Sequence, residues 1–366
     1  MSYSQGTAAA TGDGGHYNLL TALRTFCETT LGWTLMRYST DVGIVSSITK
    51  SGTTATVTVP EGHDQVAGAS ITIAGASDGL YNGTFTIGGI TTTTFTYTMS
   101  GTPAANAVGT LTATGSITDR EVIWKAPGLS GTDQIYIGIK TYQNVSTGYY
   151  NWKLNVFTGY LAGNAFSAQP GRVSYNISIP MWAQAIPYTF VGNGQRIIVA
   201  VNISGARYSI YLGKFLPYAT PSQWPYPVCV GGILVSDSAT LYSDTTQTSW
   251  FKGARNNFAM KFTSGAWRTP EILPFGGPGT KVLRNTKSDS NATEVAIPGY
   301  YGLHSLILSE NVTSFINNYG ELDGIYYITG FSNAVDNTLV IAGITYLVLA
   351  DNTRTGFKDY VALRLA

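Results

Sequence analysis

Charge is scarce in this sequence. Its 21 Lys and Arg and 20 Asp and Glu make up 11% of 366 residues, against roughly 25% in an average soluble domain. The two signs nearly cancel, to +1 at pH 7. No global field then favours nucleic acid or an anionic membrane, and no specific nucleic-acid binding is expected. Histidine is rarer still. His16, His63 and His304 are the whole set, and no two lie at metal-ligand spacing, so neither a zinc site nor another bound metal is expected. Cys27 and Cys229 are the two cysteines, far apart and in unlike contexts. Apolar runs are short and broken by Gly, well under the roughly 20 residues of a membrane span. Met1 to Gly15 shows no basic run followed by an apolar core, so no export signal is expected. The cysteines should therefore be free and buried, and the site of synthesis a reducing cytoplasm.

What fills the space left by charge is Gly (42), Tyr (24) and abundant Thr. Thr and Tyr favour strands and Gly punctuates turns, so the chain reads as mainly β, with β-sandwich or barrel-type domains. A surface with few long charged side chains loses little rotamer entropy when another subunit covers it. Burial in an assembly, as a homo-oligomer or with other proteins, is the natural expectation.

Three regions follow from texture. Residues 1–43 combine a small, polar arm (1–15) with one N-terminal helix, signalled by Tyr17, Leu20, Leu23, Phe26 and Leu31 and stopped at Gly32. Residues 44–114 read as an inserted small β domain. Its Ile48 to Val59 stretch is a strand, a Ser51-Gly52 turn and a strand with Thr/apolar alternation. Residues 115–366 form the main β domain or domains, including a hairpin turning at Ser204-Gly205. The Pro-rich stretch Leu216 to Val228 can be neither helix nor central strand. It and the 1–15 arm are expected to be mobile in an isolated subunit and ordered between subunits.

Carboxylate pairs and Gly-rich loops are the remaining places where chemistry could reside. Asp119 with Glu121, and Glu321 with Asp323, stand two apart on strand faces, which is equally the look of a solvated edge. Gly192-Asn193-Gly194 and Gly276-Gly277-Pro278-Gly279 lack the Lys-Ser/Thr of a phosphate loop. No catalytic residue, cofactor or enzyme activity is expected. The aromatic residues Tyr149, Tyr150, Trp182, Trp224 and Tyr226 are the candidate interface. Trp224 and Tyr226, on the Pro-rich stretch, are the best placed to face outward and stack on sugar.

Ile48-Thr49-Lys50-Ser51-Gly52-Thr53-Thr54-Ala55-Thr56-Val57, with Tyr81-Asn82-Gly83-Thr84-Phe85 and Phe95-Thr96-Tyr97, resembles a small β module common in tailed-bacteriophage structural proteins. Leu322-Asp323-Gly324-Ile325-Tyr326-Tyr327, Gly343 to Val348 and Asp359 to Leu365 are similar to endings of virion proteins from the tail and neck. Gln195 to Val201 and Phe215 to Tyr218 fit the same group. The resemblance implies a virion structural component that forms a ring in the tail, neck or baseplate and links neighbouring tail proteins. It supplies no catalytic residues. The alternative is a receptor-recognition protein of the tail that binds a host surface or host glycan.

Overall fold

The computed structural model describes residues 1–12, 14–39, 42, 44–60, 63, 65, 67–91, 93–115, 120–129, 133–144, 148–162, 164–235, 240–244, 247–252, 257–275, 302–312, 315–328, 333–352 and 360–365. The protein is mainly β; the described residues form four antiparallel sheets and one α-helix.

A seven-stranded sheet is the central layer. Its order is Ser2–Ala8, Ile186–Gly192, Arg196–Ile203, Ala206–Lys214, Val228–Gly231, Phe258–Lys261 and Trp267–Arg268. Strands buried on both faces read as continuous apolar runs rather than alternating ones. Arg196–Ile203 (RIIVAVNI) is such a run. Ile197, Val199 and Val201 face one core while Ile198 and Ala200 face another. The hairpin after it turns through Ser204 and Gly205, both at positive φ (52° and 90°), as a two-residue turn matched to strand twist requires.

On one face lies a six-stranded outer sheet in the order Leu234–Val235, Ile177–Met181, Tyr149–Phe157, Ile135–Asn144, Glu121–Ala126 and Thr34–Ser39. The helix, Gly15–Thr25, closes the same core with Leu19, Leu20 and Leu23, which are buried with Trp124 and Phe190. Each fully buried leucine contributes about 1.5–3 kcal/mol of transfer free energy. The helix runs on as a π turn over Phe26–Thr30 and stops at Gly32 (φ 67°). Arg24 and Glu28 pair at 3.1 Å, and Glu28 Oε1 also accepts from Trp124 Nε1 at 3.1 Å, which ties the helix end to the outer sheet. Cys27 and Cys229 are free and buried, and burial pushes both thiols well above their ordinary value.

On the other face lies a C-terminal sheet in the order Glu271–Leu273, His304–Val312, Phe315–Tyr327, Tyr360–Arg364, Ile344–Ala350 and Thr338–Ile341, with Leu216–Pro217 paired beside it. Tyr211, Phe215, Trp250, Leu308, Ile325 and Leu363 form its shared core with the central sheet. Arg196, 1% exposed, crosses between these layers and donates Nε to Asp323 Oδ2 at 3.0 Å. Gly324 sits at φ 77°, and a Cβ there would lie 2.0 Å from Arg196 Nη2, so this crossing needs glycine. The remaining six strands, from Ser47–Ser51 to Gly109–Gly115, form a sheet with its own core of Ile48, Val57, Ile71, Tyr81, Phe95 and Tyr97.

Two expectations are corrected here. Most of the 1–15 arm is not an arm: Ser2–Ala8 is a strand in unbroken register with Ile186–Gly192, from Ser2 opposite Gly192 to Ala8 opposite Ile186. Backbone pairing holds it, and that leaves no mark in hydrophobic periodicity. The stretch 216–228 is fastened too. Leu216 and Pro217 pair with Glu321 and Gly320, and Trp224 is buried within the chain.

Candidate assembly edge and clefts

Edge strands expose a row of unpaired N–H and C=O groups, and proteins blunt them with short strands, charge, proline, bulges or covering segments. Several edges here are treated so. Thr34–Ser39 carries a bulge between Leu35 and Arg37, and Arg37 is clamped to Glu121 at 2.6 Å and to the carbonyl oxygens of Ala162 and Asn164 at 2.8 and 2.6 Å. Ser47–Ser51 is covered by a loop, with Ala107 N donating to Ile48 O at 3.0 Å and Lys50 N to Asn106 Oδ1 at 3.1 Å. Gly109–Gly115 receives Val42 N at Ala113 O, 3.1 Å. Trp267–Arg268 is only two residues long.

Ser2–Ala8 has none of these devices. Seven residues, SYSQGTA, carry no charge, proline or bulge, and among the described residues no segment covers their outer side. Tyr3 is 47% exposed. The strand is nonetheless held firmly on its inner side. Gln5 Nε2 donates to Thr189 Oγ1 at 3.1 Å. Gly6 leaves room for the Tyr188 ring, whose Oη would stand 2.7 Å from a Cβ at that position, and Tyr188 stacks on Phe190 with centroids 4.1 Å apart.

Of the cavities among the described residues, two are lined by the sheets described above. The first, about 290 Å³, opens between Gln5, Thr189, Asn202 and Ser209 of the central sheet and Leu347 and Leu349 of the C-terminal sheet. Arg207 and Asp336 bridge its mouth, Nε to Oδ2, at 2.9 Å. The second, about 280 Å³, lies on the outer sheet's far face and is lined by Lys140, Lys153, Asn155, Arg172, Tyr175 and, just after the strand Thr54–Thr58 of the six-stranded sheet with its own core, Pro60.

The residues singled out from sequence are dispersed. Trp224 packs edge-on against Phe215, Phe262 and Tyr319 with centroids 5.4, 5.6 and 5.8 Å away, and its Nε1 donates to Lys261 O at 3.1 Å. It is 4% exposed and offers no face for stacking on sugar. Proline fixes the backbone around it, but the indole is the largest apolar group there and the core takes it. Tyr226 is exposed. Trp182 is half-buried, edge-on to Tyr242 at 5.3 Å, and Tyr150 is half-buried with its ring 4.5 Å from that of His16. Tyr149, also half-buried, opens the same strand.

His16, His63 and His304 lie against Tyr17 and Tyr150, Phe95, and Tyr327 respectively, in three separate places. Among the described residues, no group of three or more His, Cys, Asp or Glu side chains is placed to hold a metal. Of the carboxylate pairs, Asp119 lies outside the described residues and Glu121 is bound to Arg37. Asp323 is bound to Arg196 and to Asn193 Nδ2, and Glu321 stands in register with Leu216. Burial, and then the Glu321 charge, raises the nearby Tyr218 hydroxyl above its ordinary value. No described helix is long and apolar enough to cross a membrane.

No family model matches this sequence, and no curated protein does. Among solved structures, the chain is similar to one described as the phage phi92 endosialidase, at 12% identity and a TM-score of 0.22. The match covers 90% of this chain and 52% of that one, so this chain spans about half the length of the solved protein. A likeness at that level assigns neither fold family nor activity.

Proposed function

We propose that the protein is a non-enzymatic structural component of a tailed-phage virion, forming a ring in the tail, neck or baseplate and joining neighbouring subunits. The observation that carries the reading is the open strand Ser2–Ala8. A seven-residue uncharged edge with unbroken register is a standing invitation to strand addition. Several other edges among the described residues are covered, bulged or only two residues long, and this one, the longest of the bare edges, is left open. The charge-poor composition supports the same reading, since such a surface loses little side-chain entropy on being covered.

The test adds lysines where the edge has none. The double substitution Tyr3→Lys and Thr7→Lys places two charges on exposed positions of the strand and leaves the core untouched. It should fold and melt like the wild type. Association between subunits, followed by sedimentation over a concentration series, and incorporation into particles should weaken by about tenfold or more. Unchanged incorporation of the double variant would overturn the proposal, as would absence of the wild-type chain from purified particles by mass spectrometry.

A further inference from the structure

The cavity between the central and C-terminal sheets exists because one face of the central sheet changes character within a single step of its pleat. Val191, Ile198 and Tyr211 stand in register across three strands and fill the shared core. Two residues along, the row reads Gln5, Thr189, Ala200 and Ser209, again each in register with the next. Alternate residues of a strand share a face, so the side chains there shrink from large and apolar to small or hydroxylic. The strand Ile344–Ala350, opposite, lines the space with Leu347 and Leu349. The two hydroxyls are buried and half-used. Thr189 Oγ1 accepts from Gln5 Nε2 at 3.1 Å and Ser209 Oγ from Trp250 Nε1 at 3.2 Å, and among the described residues neither has an acceptor for its own hydrogen. Asn202 Oδ1 accepts from Gly205 N at 2.9 Å, which leaves the Nδ2 group to donate. At the mouth, charge is already paired: Arg207 Nε lies 2.9 Å from Asp336 Oδ2, and Nη1 donates to Gly205 O at 3.1 Å.

We infer that this cavity binds one neutral hexose ring. Such a ring carries hydroxyls around its rim and C–H groups on its faces, and the lining offers a counterpart to each. Thr189, Ser209 and Asn202 supply donors for the hydroxyls, and Leu347 and Leu349 an apolar wall for a C–H face. A few placed polar groups on an otherwise apolar lining is the usual make-up of a small-molecule site. The volume of about 290 Å³ sits near the roughly 300 Å³ at which such sites begin, which limits the ligand to a single ring. An ionised ligand fits worse. It would give up its hydration beside Leu347 and Leu349, while the cation at the mouth, Arg207, is already held by Asp336. The lining is formed before the ligand arrives, because Thr189, Ala200 and Ser209 sit on strands paired on both sides. This inference does not rest on the assembly reading, since the site is made within one chain.

The experiment titrates the full chain with glucose and galactose, and with glucuronate and galacturonate as their charged counterparts, by isothermal calorimetry. One or both neutral hexoses should bind saturably at one per chain. Each that binds should do so at least about tenfold more tightly than its uronate, the carboxylate being costly to desolvate. Ala200→Leu sets a larger side chain in the middle of the row and should abolish binding. Thr189→Val keeps the shape, removes one hydroxyl and should weaken binding by about threefold to tenfold, the effect of one neutral hydrogen bond. Melting curves accompany both variants, and if Ala200→Leu fails to fold then Thr189→Val decides alone. Hexose binding is read by calorimetry and the assembly reading by sedimentation, so either can fail without the other. Binding of neither hexose, a uronate bound as tightly as its hexose, or binding unaltered in a folded variant would each overturn the inference.

Discussion

Two segments without periodicity, residues 2–8 and 216–228, are fixed by opposite means. Ser2–Ala8 is held by its backbone, seven register pairs along one side, while the side chains of Tyr3, Gln5 and Thr7 remain exposed. The Pro-rich stretch cannot use its backbone that way, since four of its residues are prolines without an N–H. Its backbone is tied only at the ends, by Leu216–Pro217, by Tyr218 N to Tyr319 O at 3.0 Å and by Pro227 O from Phe215 N at 2.9 Å, and its middle hangs on one buried indole. A strand fastened along one side has its other side free to pair again. A loop fastened by a side chain has no such second side. This difference, and not composition, makes the first segment the better candidate for joining subunits.

The comparison breaks most sharply at Trp224. Trp224→Ala removes the anchor and its hydrogen bond to Lys261 O, and should cost about 3–5 kcal/mol of folding stability. Chemical denaturation checks the magnitude, and hydrogen exchange should locate new opening in residues 216–228 while Ser2–Ala8 stays protected. Opening of both segments together would show that they form one cooperative unit. Gly6→Ala is the matching probe of the first segment. Its Cβ would meet the Tyr188 ring at 2.7–3.3 Å, so the ring must give way or the strand lift. The expected loss is about 1 kcal/mol, with faster exchange confined to residues 2–8 and 186–192.

The main-chain architecture was largely legible, because it rests on signals that sequence carries. Ile48 to Val59 alternates and turns at Gly52, and Arg196 to Leu212 is two apolar runs about Ser204-Gly205. The structure has both hairpins. What escaped was pairing without pattern. Ser2–Ala8 is small and polar on both faces, yet Tyr3, Gln5 and Thr7 do alternate with Ser2, Ser4 and Gly6, and an uncharged run of that length was the available sign. Ile177–Met181 and His304–Val312 were missed because proline and polar residues interrupt them. The cavity on the outer sheet's far face was invisible for a plainer reason. Lys140 and Lys153 meet only once the register of two strands is known, and Arg172 joins them from a loop.

The smallest expected effect on stability belongs to Tyr226, two residues from the anchor. The stretch leaves Leu216, Tyr218 and Tyr226 exposed at 41%, 58% and 39%. Tyr226 contributes its carbonyl to a turn, accepting from Val228 N at 2.9 Å, but that bond is backbone and survives truncation. Tyr226→Ala should therefore shift folding stability by less than about 0.5 kcal/mol, as exposed substitutions usually do. Any larger consequence must come from a partner. Tyrosine is enriched at interfaces because it brings wide contact area at low entropic cost. If the Pro-rich face is a second contact between subunits, Tyr226→Ala weakens association in sedimentation while melting stays unchanged, and it adds to the Tyr3→Lys, Thr7→Lys defect. Association identical to wild type assigns the joining of subunits to the open strand and leaves this aromatic face outside the contact.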